Sequence, residues 1–172
     1  MVGQAAAAGY ACADNGSGVA VCAGTAPNGG GVDTASAGLK SFTVVASDAA
    51  GNTATKSVTY TVGYGVCALY DQTKAHRSGS TVPVKLQLCD AGGANLSAAG
   101  LAVTALGTVR LSDFAPGEVE DAGQSNPDDN FRFAGDGYVF NLKTTGLTTG
   151  TYVLVFKAGA DPLTRGVQFQ VK

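Results

Sequence analysis

The stretch YACADNGSGVAVC, residues 10–22, decides how the rest of the chain is read. Two cysteines flank the turn-rich DNGSG, in which Gly16 and Gly18 supply the positive φ that a tight reversal requires. Folded as a hairpin, the short runs YACA and VAVCAG bring Cys12 opposite Cys22. A disulfide closing so short a loop contributes about 2–3 kcal/mol. Redox and metal chemistry are the alternatives, and the spacing speaks against both. The four cysteines Cys12, Cys22, Cys67 and Cys89 contain no C-x-x-C pair. No two of them stand two to four residues apart as zinc ligands do, and the only histidine is His76. An even number suits two staples, so Cys67 and Cys89 are expected to pair within the second half. The expected compartment is therefore oxidising: secreted, or displayed on a cell surface.

Composition agrees. Of 172 residues, 45% are hydrophobic and only 14% charged, so a packed core is affordable while polarity comes from Thr, Ser, Asn and 25 Gly. The net charge of −2 and the lack of any basic run leave nothing to grip a nucleic-acid backbone. No apolar run approaches the roughly 18 residues that span a bilayer, so no membrane insertion is expected. The AAAAG run near the N-terminus is short and lacks the basic flank of a signal peptide. Met1 runs directly into domain-like sequence, which suggests a segment of a longer chain with any export signal upstream.

Outward from the cysteines, the hydrophobic period is two rather than 3.6. SFTVVAS puts Phe42, Val44 and Ala46 on one face, and TKSVTYTVGY does the same with Val58, Tyr60, Val62 and Tyr64. The turn DAAGN joins them into a hairpin expected to bury one face. A composition break at GYGV places a domain boundary there, giving domains 1–64 and 65–172. In the second, STVPVKLQLC alternates Val82, Val84, Leu86 and Leu88 against Pro83, Lys85 and Gln87. Pro83 cannot donate to a ladder and predicts an edge strand or a bulge. LAVTALGTVRLS adds strand material, and FRFAGDGYVFNLK predicts a hairpin with AGDG at its tip. GTYVLVFKA, apolar on both parities, predicts a central strand covered on both faces. GVQFQVK closes the chain with Val167, Phe169 and Val171 inward.

Short strands with turns every 8–12 residues imply β-sandwiches. LTTGTY sets Leu147, Gly150 and Tyr152 in the spacing of a tyrosine corner, where the hydroxyl bonds backbone just upstream. The fold class expected is all-β, two consecutive Ig-like antiparallel β-sandwich domains.

Particular pieces of residues 9–62 match a known pattern: Tyr10-x-Cys12-x-Asp14, Ser17-Gly18-Val19, Cys22-x-Gly24, Asp33-Thr34, Phe42-Thr43-Val44 and Asp48-x-x-Gly51-Asn52. With these the first half resembles bacterial Ig-like repeats, found in tandem in large secreted proteins. Residues 65–172 look like a PxKF-type domain, with Pro83-Val84-Lys85-Leu86 at the name motif and Leu in place of Phe. The resemblance implies a secreted, multidomain bacterial context with neighbouring Ig-like domains, and it transfers no active site.

The chemical alternatives are thin. Ser-His-Asp chemistry would need His76, which sits in the polar TKAHRSGS without a G-x-S-x-G elbow. The acidic residues Asp113, Glu118, Glu120, Asp121, Asp128 and Asp129 gather in one loop, where carboxylates are usually solvated rather than paired for glycoside hydrolysis. Asp128, Asp129, Asn130 and Asp136 are the calcium candidates, without EF-hand spacing. Asp48 and Asn52 read as a capped turn. Sugar stacking lacks Trp, and among the six Tyr only Tyr10, Tyr64 and Tyr70 are left without a place in the core. Lys85 and Lys143 share parity with polar neighbours, which makes surface lysines of them rather than isopeptide partners. No catalytic residue and no cofactor beyond calcium is expected. The expected role is a non-catalytic spacer, stalk or adhesive building block. About sixty residues bury only a modest fraction of their surface, so the first domain is expected to lean on its neighbour, on a missing upstream strand or on another copy. A missing strand would leave an open edge, and self-association by strand addition is one expectation. The alternative is a glycan- or protein-binding module using the loop 113–130.

Overall fold

Alternation at period two becomes twelve strands, with no α-helix among the described residues. The computed structural model describes residues 1–122 and 127–172. They form two compact units, Met1–Gly63 and Tyr64–Lys172.

The first unit holds one antiparallel sheet in the order β1-β2-β3, built from β1 (Val19–Gly24), β2 (Gly38–Asp48) and β3 (Thr53–Val62). The β2–β3 hairpin is closed by the Asp48 carboxylate, which accepts the backbone N–H of Ala50 at 3.0 Å and of Asn52 at 2.8 Å. It also accepts the Asn52 side-chain amide at 2.7 Å. These donors, the Asn52 amide first, hold the Asp48 carboxyl below the usual carboxylate range. Gly51 turns with φ 91°, which a residue with a Cβ rarely adopts.

The hairpin forms where the alternation puts it, but its apolar face is not buried. Val58 is 52% exposed and Leu39, on the opposite face, 68%. The physical reason is that this unit has a single sheet. The layer facing it is irregular chain, and only Val2, Ala8 and Val62 are buried hydrophobics there.

The second unit is a sandwich of two sheets. One runs β4-β6-β10-β9: β4 (Gly65–Ala68), β6 (Thr81–Cys89), β10 (Gly137–Lys143) and β9 (Arg132–Ala134). The other runs β5-β12-β11-β7-β8: β5 (Ala75–His76), β12 (Arg165–Val171), β11 (Gly150–Ala158), β7 (Val103–Arg110) and β8 (Pro116–Gly117). Every pairing is antiparallel except the short β5–β12 contact. Between the sheets lie the inward residues that the alternation singles out. Val82, Val84, Leu86 and Leu88 from β6 meet Leu154 and Phe156 from β11 and Val167, Phe169 and Val171 from β12. Phe131 fills the centre, 5.0 Å from the Phe140 ring and 5.5 Å from that of Phe156.

Two strand expectations are corrected. Pro83 lies on β6, an interior strand, opposite Asn141. It is tolerated because β4 pairs only with Leu86–Cys89. At Pro83 the strand therefore has a neighbour on one side, and no ladder bond is lost. β11 is central within its sheet, yet it is fully covered on one face only. Leu154 and Phe156 are buried, whereas Val153 and Val155 are half-exposed on the outer surface.

The Tyr152 hydroxyl donates to the Thr148 carbonyl at 2.9 Å, and its ring stacks on Phe169 at 5.4 Å. At Gly150 a Cβ would lie 3.0 Å from the Arg110 side chain and 3.6 Å from the Tyr152 ring, so the small residue lets both approach. Leu147 packs half-buried against the core. The loop between β11 and β12 is anchored by Asp161, which is fully buried. Its carboxylate accepts the backbone N–H groups of Tyr64 and Leu163, both at 2.9 Å. The Arg165 guanidinium donates to it at 3.0 and 3.2 Å.

Candidate functional site

The surface that the fold leaves least finished is the first unit's sheet. On one face, Tyr10, Cys12, Phe42, Val44, Ala46 and Val58 line an apolar groove of about 400 Å³. Local chemistry fixes its floor. The Tyr10 backbone N–H donates to the Asn28 side chain at 3.1 Å, and the Tyr10 hydroxyl accepts from the Gly24 N–H at 2.9 Å. The Tyr10 ring lies 5.9 Å from that of Phe42. A Cβ on Gly24 would stand 2.7 Å from the Tyr10 ring and 2.8 Å from Phe42, so this position needs glycine. The Cys12–Cys22 disulfide pins the segment to β1 across a Cα separation of 5.8 Å. At the far end the Tyr60 hydroxyl donates to the Asp33 carbonyl at 2.9 Å. Lys40 pairs with the Asp33 carboxylate, also at 2.9 Å. That ammonium, followed by the Ala35 N–H, holds the Asp33 carboxyl below its usual range.

The two edges of this sheet differ. β1 carries an irregularity between Val19 and Val21, the kind of bulge that blunts an edge. β3 runs ten residues without proline or bulge, has a single charge at Lys56, and pairs only with β2. Its residues Thr53 to Thr59 are all exposed.

Both staples are present, Cys12–Cys22 in the first unit and Cys67–Cys89 in the second, and no cysteine is free. In a chain-entropy picture, loops of 10 and 22 residues correspond to roughly 3 kcal/mol each.

The calcium candidates do not come together. Asp128 and Asp129 are exposed at φ 54° and 57°. The Asn130 side-chain oxygen accepts the Thr104 hydroxyl at 2.6 Å. Asp136 sits in the β9–β10 turn and accepts the Gln87 amide at 2.8 Å. Among the described residues, no three His, Cys, Asp or Glu side chains converge on a point that could hold a metal ion.

His76 lies on β5, where partial burial and then the charges of Lys74 and Lys172 lower its pKa. Its carbonyl accepts the Lys172 N–H at 2.8 Å. Asp113 faces Arg110 at 3.5 Å. Glu118 and Glu120 meet neighbours through their carbonyls, from the Thr108 hydroxyl at 3.4 Å and the Lys143 N–H at 2.8 Å. Residues 123–126 of the loop 113–130 lie outside the described residues. Lys85 and Lys143 are exposed. Tyr64 and Tyr70 pack partly buried against the second core rather than offering stacking platforms. The Tyr70 hydroxyl donates to the Gln168 carbonyl at 2.6 Å, and burial pushes its pKa well up.

Two residues escape the sequence reading. Asp161 looks like one more loop acid in ADPLTRG, and only the three-dimensional return of Tyr64 and Arg165 makes it a buried anchor. Phe114 is 75% exposed at φ 55°, on the loop between β7 and β8. Its signal was the turn chemistry of SDFAP, where the Asp113 carboxylate accepts the Ala115 N–H at 3.1 Å.

No family model matches the chain, and no curated protein matches it. Among solved structures, it is similar to domains 4–9 of the surface layer protein SbsC, with 14% identity and a TM-score of 0.36. That match covers 84% of this chain and 19% of the other. Domains 4 and 5 of the same S-layer protein give 15% identity and a TM-score of 0.34, over 86% of this chain and 64% of the other. A chimeric titin Z1Z2 tandem carrying a fibronectin GRGDS peptide gives 17% identity and a TM-score of 0.31, over 77% and 64%. The chain thus spans 19% of the first of these proteins and 64% of each of the other two.

Proposed function

We propose that this chain is a non-catalytic structural segment, a spacer, stalk or adhesive building block, of a secreted or surface-displayed bacterial protein. The observation that carries the reading is that each compact unit is closed by its own disulfide. Disulfides persist outside the reducing cytosol, and they compensate for small cores. Exposed strands rich in Thr and Ser suit a chain that presents sheet surface to water. Its partners, on this reading, are neighbouring Ig-like domains of a longer polypeptide. Single-molecule pulling tests the mechanical role. Two separate unfolding events are expected. Reductant should lengthen the second unit's event by the 22-residue separation of Cys67 and Cys89, about 75 Å at roughly 3.4 Å per residue. Extension of both units without a resolvable force peak contradicts a load-bearing role.

A second reading is favoured by Phe114. A large apolar ring held exposed on a left-handed backbone is the sort of local strain that clusters at binding sites. The loop 113–130 would then present Phe114 to a glycan or protein ligand. Glycan-array binding by the intact chain, with no response to load, would favour this reading over the stalk.

A further inference from the structure

The β3 edge carries its own complement. An antiparallel strand added to it must place same-face residues opposite one another, because side chains alternate with period two. For two copies of β3 related by a twofold axis, the register centred on residue 58 meets this condition. It puts Val58 opposite Val58 and Lys56 opposite Tyr60 on the groove face, and stops short of Val62, which is buried in its own unit next to the Val2 N–H bond to the Gly63 carbonyl. On the other face, Ser57 meets Thr59 and Thr55 meets Thr61. No like charges oppose. Each Lys56 approaches the second copy's Tyr60, whose hydroxyl is bonded at the Asp33 carbonyl, on the face where the exposed Asp33 carboxylate lies. The hydroxyl pairs are favourable cross-strand neighbours. Val58, half-exposed in the single chain, becomes covered, and the apolar grooves of the two copies join across the axis.

We propose that this chain self-associates through β3, forming a twofold dimer centred on Val58 in which two three-stranded sheets become one six-stranded antiparallel sheet. β1 does not serve, because its bulge interrupts the ladder. A contact confined to residues 55–61 of a single strand falls below the roughly 1,200 Å² of a standard stable interface, so the dimer is weak in dilute solution and strengthens when copies are held close together. The inference deepens the structural-segment reading and rests on it only for where the contact operates. Pulling tests the mechanical role and cross-linking tests the edge, so either can fail without the other.

The test is disulfide cross-linking in the full oxidised chain, with the native disulfides verified. Directly opposed residues of antiparallel strands have Cα atoms about 4.5–5.5 Å apart, within disulfide range. Val58→Cys is therefore expected to form a covalent dimer under mild oxidation. Thr55→Cys and Thr61→Cys are expected to cross-link when mixed and neither alone. Val58→Glu puts two carboxylates opposite each other at a position exposed in the single chain. It should weaken the concentration-dependent dimer seen by sedimentation by at least about tenfold while leaving the circular dichroism unchanged. The proposal is overturned if the unmodified chain sediments as a monomer at millimolar concentration. It is equally overturned if Thr55→Cys alone cross-links as readily as Val58→Cys.

Discussion

Asp161→Ala lowers the stability of the second unit by about 3 kcal/mol, the low end of what breaking a buried ion pair removes. The carboxylate is fully buried and accepts four hydrogen bonds, two from backbone N–H groups and two from Arg165. Deleting it leaves those donors facing apolar surroundings. The Arg165 side chain, 20% exposed, regains part of its hydration, which keeps the loss from reaching the top of the range. The effect is also topological. Asp161 ties the first residue of the unit, Tyr64, to the turn that leads from β11 into β12. Asp161→Asn keeps an acceptor of the same size and is expected to lose about half as much. Urea unfolding followed by circular dichroism reads both, and the shift belongs to the second unit's transition alone. A change below about 0.5 kcal/mol, the range of an ordinary surface substitution, would mean the carboxylate is hydrated and the anchor is not one.

Phe156→Ala is expected to remove about 4 kcal/mol from the same unit, within the usual range for truncating a buried aromatic. Phe156 is fully buried on the central strand of its sheet, and its ring meets Phe131 at 5.5 Å. Neighbours from both sheets hold the cavity open, so little collapse offsets the loss. The matching substitution in the first unit behaves differently. Phe42→Ala removes a half-exposed ring that faces a groove, and its loss is expected to be about 1 kcal/mol. The contrast separates a unit held by its core from a unit held by turns, a disulfide and its hairpin. Equal losses in the two units would show that the first has a packed interior after all.

The second unit was legible because both of its sheets obey the alternation. Val82 through Leu88, and Val167 through Val171, face inward at the predicted parity, and the AGDG hairpin tip falls at Ala134 to Gly137. The same signal misled in the first unit. Phe42, Val44 and Val58 alternate as a core face does, but alternation reports which residues share a face and not whether anything covers it. Pro83 misled for a related reason: β6 is interior as a whole and one-sided only where the proline sits. β11 is apolar on both parities, yet Val153 and Val155 remain on a half-exposed surface. The pairing of the cysteines was readable because DNGSG makes a reversal and leaves two partners over. The role of Asp161 was not readable, since burial by distant residues has no one-dimensional signature; Phe114 left only the turn chemistry of SDFAP, which does not fix a left-handed φ at a non-glycine.

The central claim is a chain of two units, each closed by its own disulfide. Its most direct test is thiol labelling with disulfide mapping by mass spectrometry on the protein folded under oxidising conditions. The account predicts no free thiol, one linkage joining Cys12 to Cys22 and one joining Cys67 to Cys89. Four reactive thiols, or linkages that cross between the two units, would contradict it.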